Sequence, residues 1–238
     1  MTVIGHLTEL RSRLIKALLA FFVMSVVAWF LYEPILHLLI APISKLPESA
    51  RILSKGKLIY TSPVEPLFIR LKVTSFAGLV LSLPVVLWQL WRFVTPGLRS
   101  NEKRYALPFV MSALTLFALG AVLAILTMPA ALLFLSKLAP STTFDFLPKA
   151  SEYLSFVLLL VVAFGASFEF PIVLVFLALV GIIDSRKLRK SRGLALVLVL
   201  VVAAVVTPTQ DPFTQVALSV PMYLLYEATI VTVRLMKR

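Results

Sequence analysis

Long apolar runs separated by short polar segments make up most of the chain. The runs are continuous and do not alternate with the period of two found in the strands of outer-membrane barrels, so we interpret them as helices. All but the fifth are long enough to cross a hydrocarbon layer roughly 30 Å thick. The pattern predicts six membrane spans, at about residues 14–32, 66–93, 105–135, 152–183, 194–206 and 213–233.

The segment before the first span predicts a short amphipathic helix over residues 1–13, lying at the membrane surface. Its apolar side chains are spaced to share one helical face: Ile4, Leu7, Leu10 and Leu14. After the first span, Glu33 precedes a proline, and a residue in that position disfavours continued helix. Residues 33–62 are therefore predicted to form a long connection, parts of which are apolar enough to cover the bundle.

Three later spans have recognisable starts. Ser62 and Glu65 enclose a proline in the order of a capping box, with Ser62 at the N-cap and Glu65 at the third helical position. Ser151 is a suitable N-cap for the fourth span. Asp211 is followed by a proline and is predicted to cap the sixth span in the same way.

The fifth apolar run has only 13 residues, or about 20 Å of helix, and its length alone does not decide whether it crosses. The basic residues decide it. If all six runs cross, most of the 23 Lys and Arg fall on the side of the two termini, including the dense run over 186–192. The positive-inside rule then places both termini in the cytoplasm.

The composition agrees with an all-α integral membrane protein that forms a single membrane domain over 1–238. It is 60% hydrophobic and 14% charged, whereas soluble domains average about 25% charged residues. The net charge of +12 is scattered between apolar runs rather than gathered in one stripe, which argues against nucleic acid as a partner. Arg11, Arg13 and Lys16 lie before or at the start of the first span, and no small-residue cleavage site follows its apolar residues, so this span is expected to be retained.

Glu169 lies in the middle of the fourth span, where a charge costs roughly 2.5 to 3.5 kcal/mol. It must have a partner inside the protein, stay protonated, or be reached by water. Glu227, in the sixth span, is the other carboxylate within an apolar run. A structural pairing toward the interface and a functional role are both open for it.

Glu9 and Glu102 lie among basic residues on the predicted cytoplasmic side. One interpretation is structural, with Glu9 paired to Arg13 four residues later and Glu102 in the first turn of the third span. The other is that two carboxylates on a cationic face accept a guanidinium through paired, charge-assisted hydrogen bonds. At the outer end of the last hairpin, polar side chains at shallow depth could bond a partner helix: Thr207, Gln210, Asp211 and Gln215.

Signatures of enzymes, metals and cofactors are missing from the sequence. Cysteine is absent, and His6 and His37 fall on opposite sides of the membrane in the predicted topology. There is no HExxH motif, no intramembrane aspartate pair, no GxSxG motif and no glycine-rich phosphate loop. We therefore expect neither catalysis nor a bound metal or cofactor.

Ordered fragments along the whole chain resemble the TatC family, the multispanning receptor of the twin-arginine protein translocase. They read IGHLTELRSRL at 4–14, APISKLP at 41–47, SPVEPLF at 62–68, LPVVLWQLWRFVTPGL at 83–98, NEKR at 101–104, YLSFVLLLVVAFGASFEFP at 153–171 and PMYLLYE at 221–227. The resemblance implies a concave six-span bundle with a short last hairpin. It also implies binding of signal peptides with two adjacent arginines and export of folded proteins, driven by the protonmotive force without nucleotide.

The resemblance further implies partners and site residues. The partners are TatA-like and TatB-like single-span subunits, further copies of the chain and the lipid of a bacterial or archaeal plasma membrane. The twin-arginine site falls on Glu9 and Glu102, with Arg11 and Phe93 beside them. The intramembrane glutamate of the family falls on Glu169, its outer-loop proline on Pro42, and its contacts with single-span subunits on Thr207 and Gln215, with Asp211 nearby.

One alternative from another class remains open at this point. A proton-coupled secondary transporter would use Glu169 as its relay, although the sequence has no convincing internal repeat of the kind that transporters often show. A purely structural membrane scaffold is a further possibility.

Overall fold

The computed structural model describes residues 3–44, 58–94, 106–138, 149–207 and 211–236, and every regular element in these ranges is a helix. The all-α prediction is thus confirmed. The helices are α1 (Val3–Phe30), α2 (Tyr32–Ser44), α3 (Glu65–Val94), α4 (Ala106–Leu138), α5 (Ala150–Ser167), α6 (Phe170–Leu179), α7 (Ser185–Lys190), α8 (Arg192–Val206) and α9 (Pro212–Leu235).

Five helical stretches among the described residues are long and apolar enough to cross a membrane, which makes the chain a multi-pass membrane protein. They are Gly5–Phe30, Glu65–Phe93, Ala106–Leu135, Ala150–Leu179 and Pro212–Leu235. The predicted fifth span corresponds to α8, a shorter apolar helix of 15 residues. Its crossing, and with it the six-span topology, stays a prediction.

The start of the chain differs from the predicted surface helix followed by a span. A single helix, α1, runs without interruption over 28 residues. After Gly5 it contains no glycine or proline, so nothing in the sequence breaks the backbone hydrogen-bond ladder between the two predicted segments. The boundary at residue 13 is therefore not a boundary of secondary structure.

The predicted connection over 33–62 was wrong in its first part, which forms α2. Pro34 lies in the first turn of α2, where its missing N–H is one of the groups that has no partner inside a helix anyway. The backbone hydrogen bonds of α1 almost continue into α2. The Leu31 N–H donates to the Val27 carbonyl and the Ile35 N–H donates to the Leu31 carbonyl, both at 3.2 Å. The proline starts a new helix here.

The start of α3 also needs a correction. The helix begins at Glu65, after a turn in which the Glu65 N–H donates to the Ser62 carbonyl at 3.1 Å. The Glu65 carboxylate accepts from the Thr61 N–H at 2.7 Å and from the Ser151 N–H at 3.3 Å. Ser151 is therefore not an N-cap. It is the second residue of α5, and a carboxylate 86 residues away satisfies its N–H.

The chain folds into two compact units. In the first, which contains α1 and most of α3, the two helices approach closely at Gly78. A Cβ added there would lie only 2.6 Å from the Cα of Ser25. Arg70 donates to the Trp29 carbonyl at 3.2 Å and stacks its guanidinium 4.3 Å from the centre of the Trp29 ring.

The second unit contains α5 to α9 and most of α4. Its helices α4 and α5 cross at Gly120 and Gly165, where small residues let the backbones touch. Helices α6 to α9 share an apolar cluster, and the Tyr226 hydroxyl donates to the Leu188 carbonyl at 2.7 Å within it. The buried members of this cluster are Ala178, Leu188, Ala195, Tyr226, Ile230 and Val233.

Candidate functional site

The fourth predicted span is interrupted at Glu169. Helix α5 ends at Ser167 and α6 begins at Phe170, so the single helix predicted over 152–183 is two helices in one candidate span. Pro171 causes the interruption because it has no N–H to donate to the Ser167 carbonyl. The neighbouring bonds tighten, with the Glu169 N–H donating to the Ala166 carbonyl at 3.1 Å.

The Glu169 side chain is half-buried and borders an apolar groove of about 880 Å³ within the second unit. It makes no hydrogen bond or ion pair with any other residue in the described ranges. Of the three possibilities for this carboxyl, an internal partner is thus excluded over the described part of the chain. A protonated carboxyl and a carboxyl that water reaches remain.

The groove runs between α5 and α6 on one side and α8 and α9 on the other. Apart from Glu169, its walls are almost entirely aliphatic and aromatic. Several of its side chains are exposed at the protein surface, so the groove is open along its length: Leu159, Phe170, Val173, Leu194, Leu198 and Val202.

Glu227 has a partner on the neighbouring helix. One carboxylate oxygen accepts from Arg192 Nη2 at 2.6 Å, and the other accepts from the Tyr223 hydroxyl at 3.3 Å. The ion pair joins the start of α8 to α9, which agrees with the structural interpretation of Glu227. A functional role for Glu227 stays a prediction.

The polar residues of the last hairpin are used mainly inside it. Asp211 accepts from the Thr214 N–H at 2.8 Å, which confirms the predicted N-cap of α9. The Thr207 hydroxyl donates to the Ala203 carbonyl at 2.8 Å and is buried. Gln215 donates to the Leu200 carbonyl at 3.2 Å and is half-exposed, which leaves it the most accessible of the three predicted contacts. Gln210 lies outside the described residues.

At the N-terminal end of α1, a small polar cluster forms against α3. Glu9 Oε1 accepts from Arg13 Nη2 at 3.1 Å, which confirms the predicted pair, and Arg13 Nη1 donates to Gln89 at 3.3 Å. The second carboxylate oxygen, Oε2, is buried without a hydrogen-bond donor in the described part of the chain. His6 stacks on Phe93 with ring centres 4.4 Å apart.

The twin-arginine site stays a prediction. Phe93 on α3 stacks on His6, which lies three residues before Glu9 on α1. Arg11 is exposed on α1, and Glu102 lies outside the described residues. Pro42 is fully buried near the end of α2, in the second unit. Sequence reasoning missed Gln89 as a partner, although a glutamine in an apolar span was the available signal.

Comparison with known proteins identifies a family that matches this chain. A family model described as Sec-independent protein translocase protein (TatC) matches residues 5–221. Among curated relatives, the Sec-independent protein translocase proteins TatC of Magnetococcus marinus and Aquifex aeolicus are 37% and 40% identical. These alignments cover 95% and 94% of this chain, and 82% and 91% of the relatives. A third, from Frankia casuarinae, is 43% identical over 95% of this chain, which spans 64% of that relative.

Solved structures agree with the sequence relatives. The chain matches a structure titled "Crystal Structure of Twin Arginine Translocase Receptor- TatC" with a TM-score of 0.77 and 40% identity, covering 98% of this chain and 100% of the other. A second structure of that receptor, in DDM, gives a TM-score of 0.79 over 96% of this chain and 99% of the other. The chain belongs to the TatC family of Sec-independent protein translocase proteins.

Proposed function

We propose that this chain is the receptor subunit of a twin-arginine translocase. It binds signal peptides with two adjacent arginines at its cytoplasmic face and assembles with TatA-like and TatB-like single-span subunits and further copies of itself. The assembly exports folded proteins across a bacterial or archaeal plasma membrane, driven by the protonmotive force. Both termini are cytoplasmic. The relatives reported above are all named as translocase proteins, which favours this function over a solute transporter.

The unsatisfied carboxylate of Glu9 carries the proposal. Its side chain is only 19% exposed, and Oε2 is buried without a donor among the described residues. A buried acceptor in this state costs about 1 to 3 kcal/mol. An incoming guanidinium relieves that cost when the carboxylate turns toward it, because arginine offers parallel donors that match both oxygens.

The neighbourhood of Glu9 suits an arginine ligand in two further ways. Phe93 and His6 place stacked rings beside the cluster, and a guanidinium packs well on an aromatic face. Arg13 holds Glu9 in place but also competes with the ligand, so the second carboxylate, Glu102, is assigned the other arginine of the signal. Glu102 follows α3 in sequence, and Phe93 is the second-to-last residue of that helix.

Glu169 is assigned a separate, later role in this function. A carboxyl in the bilayer with no partner in the described chain would attract a single-span helix that carries its own polar residue. Such a hydrogen bond is worth about 0.6 to 2 kcal/mol. Thr207 and Gln215, with Asp211 nearby, offer a second contact at the end of the last hairpin.

Site-specific crosslinking of a twin-arginine signal peptide to the full chain in membranes tests the receptor role. We expect Glu9→Ala and Glu102→Ala to reduce crosslinking at least tenfold each, since each removes a charge-assisted bidentate contact. Replacing both peptide arginines by lysines should have a similar effect, because lysine cannot form that contact.

Glu152→Ala is the matched control, because Glu152 forms an exposed ion pair with Lys149 at 3.7 Å and lies on α5. Its crosslinking should equal that of the unchanged chain. Crosslinking that is indifferent to Glu9, Glu102 and the peptide arginines alike would overturn the receptor assignment.

A further inference from the structure

The guanidinium of Arg13 is divided between two acceptors. Its Nη2 donates to Glu9 Oε1 at 3.1 Å, and its Nη1 donates to Gln89 Oε1 at 3.3 Å. All three residues belong to the first unit, with Glu9 and Arg13 one turn apart on α1 and Gln89 on α3. One cation therefore bridges a carboxylate and a carboxamide.

Neither contact of Arg13 is complete. Charge-assisted hydrogen bonds from nitrogen to oxygen are typically about 2.7 to 2.9 Å long, and an arginine often pairs with a carboxylate through two parallel bonds. Glu9 receives one longer bond from Arg13. Glu9 Oε2 and Arg13 Nε are buried and have no hydrogen-bond partner among the described residues. The internal pair thus leaves both an acceptor and a donor unsatisfied.

A second guanidinium on Glu9 would compete with Arg13. The side chains of Glu9 and Arg13 are only 19% and 17% exposed, so water screens the charges of this cluster poorly. An arginine that bonds both oxygens of Glu9 would lie against the Arg13 guanidinium, and the two positive charges would repel each other. Binding of such a ligand therefore favours release of Glu9 by Arg13.

Gln89 offers the released guanidinium an acceptor. Its carboxamide oxygen has two lone pairs, so it can accept a second N–H in addition to the one it already accepts from Arg13. Arg13 keeps this contact while it gives up the one to Glu9. Without Gln89, a partly buried cation would lose its remaining acceptor among the described residues, which is costly.

We propose that Arg13 is an internal competitor for the twin-arginine site and that Gln89 is the positioning residue that holds Arg13 when a signal peptide binds. This inference rests on the proposed function. In the closed arrangement, which the structure shows, Arg13 bonds Glu9. In the open arrangement, an arginine of the signal bonds both oxygens of Glu9 and Arg13 stays on Gln89. The apparent affinity is then the intrinsic affinity multiplied by the fraction of open chains.

Two other roles for these residues make different predictions. If Gln89 contacted the signal peptide directly, its loss would weaken binding whether or not Arg13 is present. If Arg13 only kept Glu9 in position, its loss would weaken binding as well. An internal competitor and its positioning residue are distinguished by effects of opposite sign, and by the dependence of one effect on the other residue.

Equilibrium binding of a fluorescent twin-arginine signal peptide to the purified full chain in lipid nanodiscs tests the proposal. Arg13→Met removes the competitor and should tighten binding about fivefold, which is the upper end of what an ion pair near the surface is worth. Gln89→Leu should weaken binding about fivefold, because opening then costs Arg13 its last hydrogen bond. The double substitution R13M/Q89L should bind as tightly as Arg13→Met alone.

Lys16→Met is the matched control, because it removes an exposed positive charge from α1 three residues further along. It should leave the affinity unchanged. A gain equal to that of Arg13→Met would mean general charge repulsion and would overturn the proposal. Arg13→Lys is a second variant in case Arg13→Met does not fold. An ammonium is a point charge that matches the two acceptors less well, so the affinity should still rise, by about twofold.

A peptide with lysines in place of both arginines separates this inference from the proposed function. If the unchanged chain binds both peptides alike, the receptor role fails and the competitor with it. The competitor alone is refuted if the chain prefers arginines but either Arg13 variant weakens binding or leaves it unchanged. Weakening by Gln89→Leu that is equal with and without Arg13 would likewise refute it while the receptor role stands.

Discussion

At the scale of single residues, the carboxyl groups of this chain differ in what they bind. Glu65 accepts two backbone N–H groups, Glu227 has Arg192 and a tyrosine, and Glu9 has Arg13 on one of its two oxygens. Glu169 has no such contact with the described residues and faces a nearly apolar groove. The proposed function accordingly gives Glu65 and Glu227 structural roles and gives Glu9 and Glu169 contacts with partners.

Replacing Glu169 by glutamine tests its assignment. Glutamine keeps the size of the side chain but not the acid, so the bond to a partner helix should weaken. Export of a folded twin-arginine reporter should fall about 3- to 30-fold, the equivalent of 0.6 to 2 kcal/mol. Crosslinking of the signal peptide should persist, because Glu9 is in the other unit.

The corresponding control is Glu152→Gln, which alters an exposed ion pair and should leave export as it was. Export unchanged by Glu169→Gln would refute a role for this carboxyl in assembly, and a parallel loss of signal-peptide crosslinking would mean that the substitution disturbs the whole receptor.

Local contacts of these residues could be predicted, and distant ones could not. The pairing of Glu9 with Arg13 and the cap at Asp211 follow from spacings of four and three residues. Gln89 and Ser151 are 76 and 86 residues from the side chains they contact, so no local pattern indicates them. They depend on how the helices pack.

At the scale of elements, the apolar runs predict where the helices lie. The helix ends inferred from prolines, however, differ from those in the structure. Pro34 was expected to end a span and instead lies in the first turn of α2, while Pro171 was expected to sit inside one helix and instead separates α5 from α6. A proline fits a first turn equally well after a loop or after another helix. The sequence therefore shows where a backbone hydrogen bond lacks its donor. It does not show whether the proline follows a loop or follows another helix.

The close crossing of α4 and α5 depends on two glycines, Gly120 and Gly165. A Cβ at Gly120 would lie 2.6 Å from the carbonyl oxygen of Phe164, and a Cβ at Gly165 would lie 2.6 Å from the ring of Phe117. The first neighbour is backbone and cannot rotate away. The two helices would have to separate to admit even a methyl group at Gly120.

Gly120→Ala should therefore destabilise the protein, by about 1 to 3 kcal/mol if the cost resembles that of overpacking a core. The lower stability would appear as a lower midpoint of thermal or denaturant-induced unfolding in detergent. Gly193→Ala is the matched control, since a Cβ there meets no atom within 4 Å. It should be neutral or slightly stabilising, because alanine favours helix over glycine. Equal midpoints for the two variants would contradict the close crossing.

At the scale of the whole molecule, composition and the order of fragments were sufficient to predict a helical membrane protein of the TatC family, and both conclusions are confirmed. The number of crossings depends on α8, whose 15 residues are fewer than the roughly 20 that a typical span needs. Length cannot decide this case. The distribution of bases can, because orientation depends on the Lys and Arg near each span.

Reporter fusions test this topology. A reporter that is active only outside the cytoplasm should be inactive when fused after Arg238 and active when fused after Thr207, because six crossings return the C-terminus to the side of the N-terminus. A reporter active only in the cytoplasm serves as the control and should give the reverse pattern. External activity at Arg238 would exclude six crossings with a cytoplasmic N-terminus.

The contact between Glu65 and Ser151 has a consequence for how the chain is made. Glu65 leaves the ribosome 86 residues before its partner, a delay of roughly 4 to 17 s at 5 to 20 residues per second. The Ile59 carbonyl waits slightly longer for its donor, the N–H of Ala150. During that interval α3 and α4 are synthesised while the segment before α3 still lacks its final contacts. Its last contacts can form only after α5 has emerged, so a ribosome stalled before residue 150 would hold a chain in which this segment is still open to the enzymes and chaperones of the membrane.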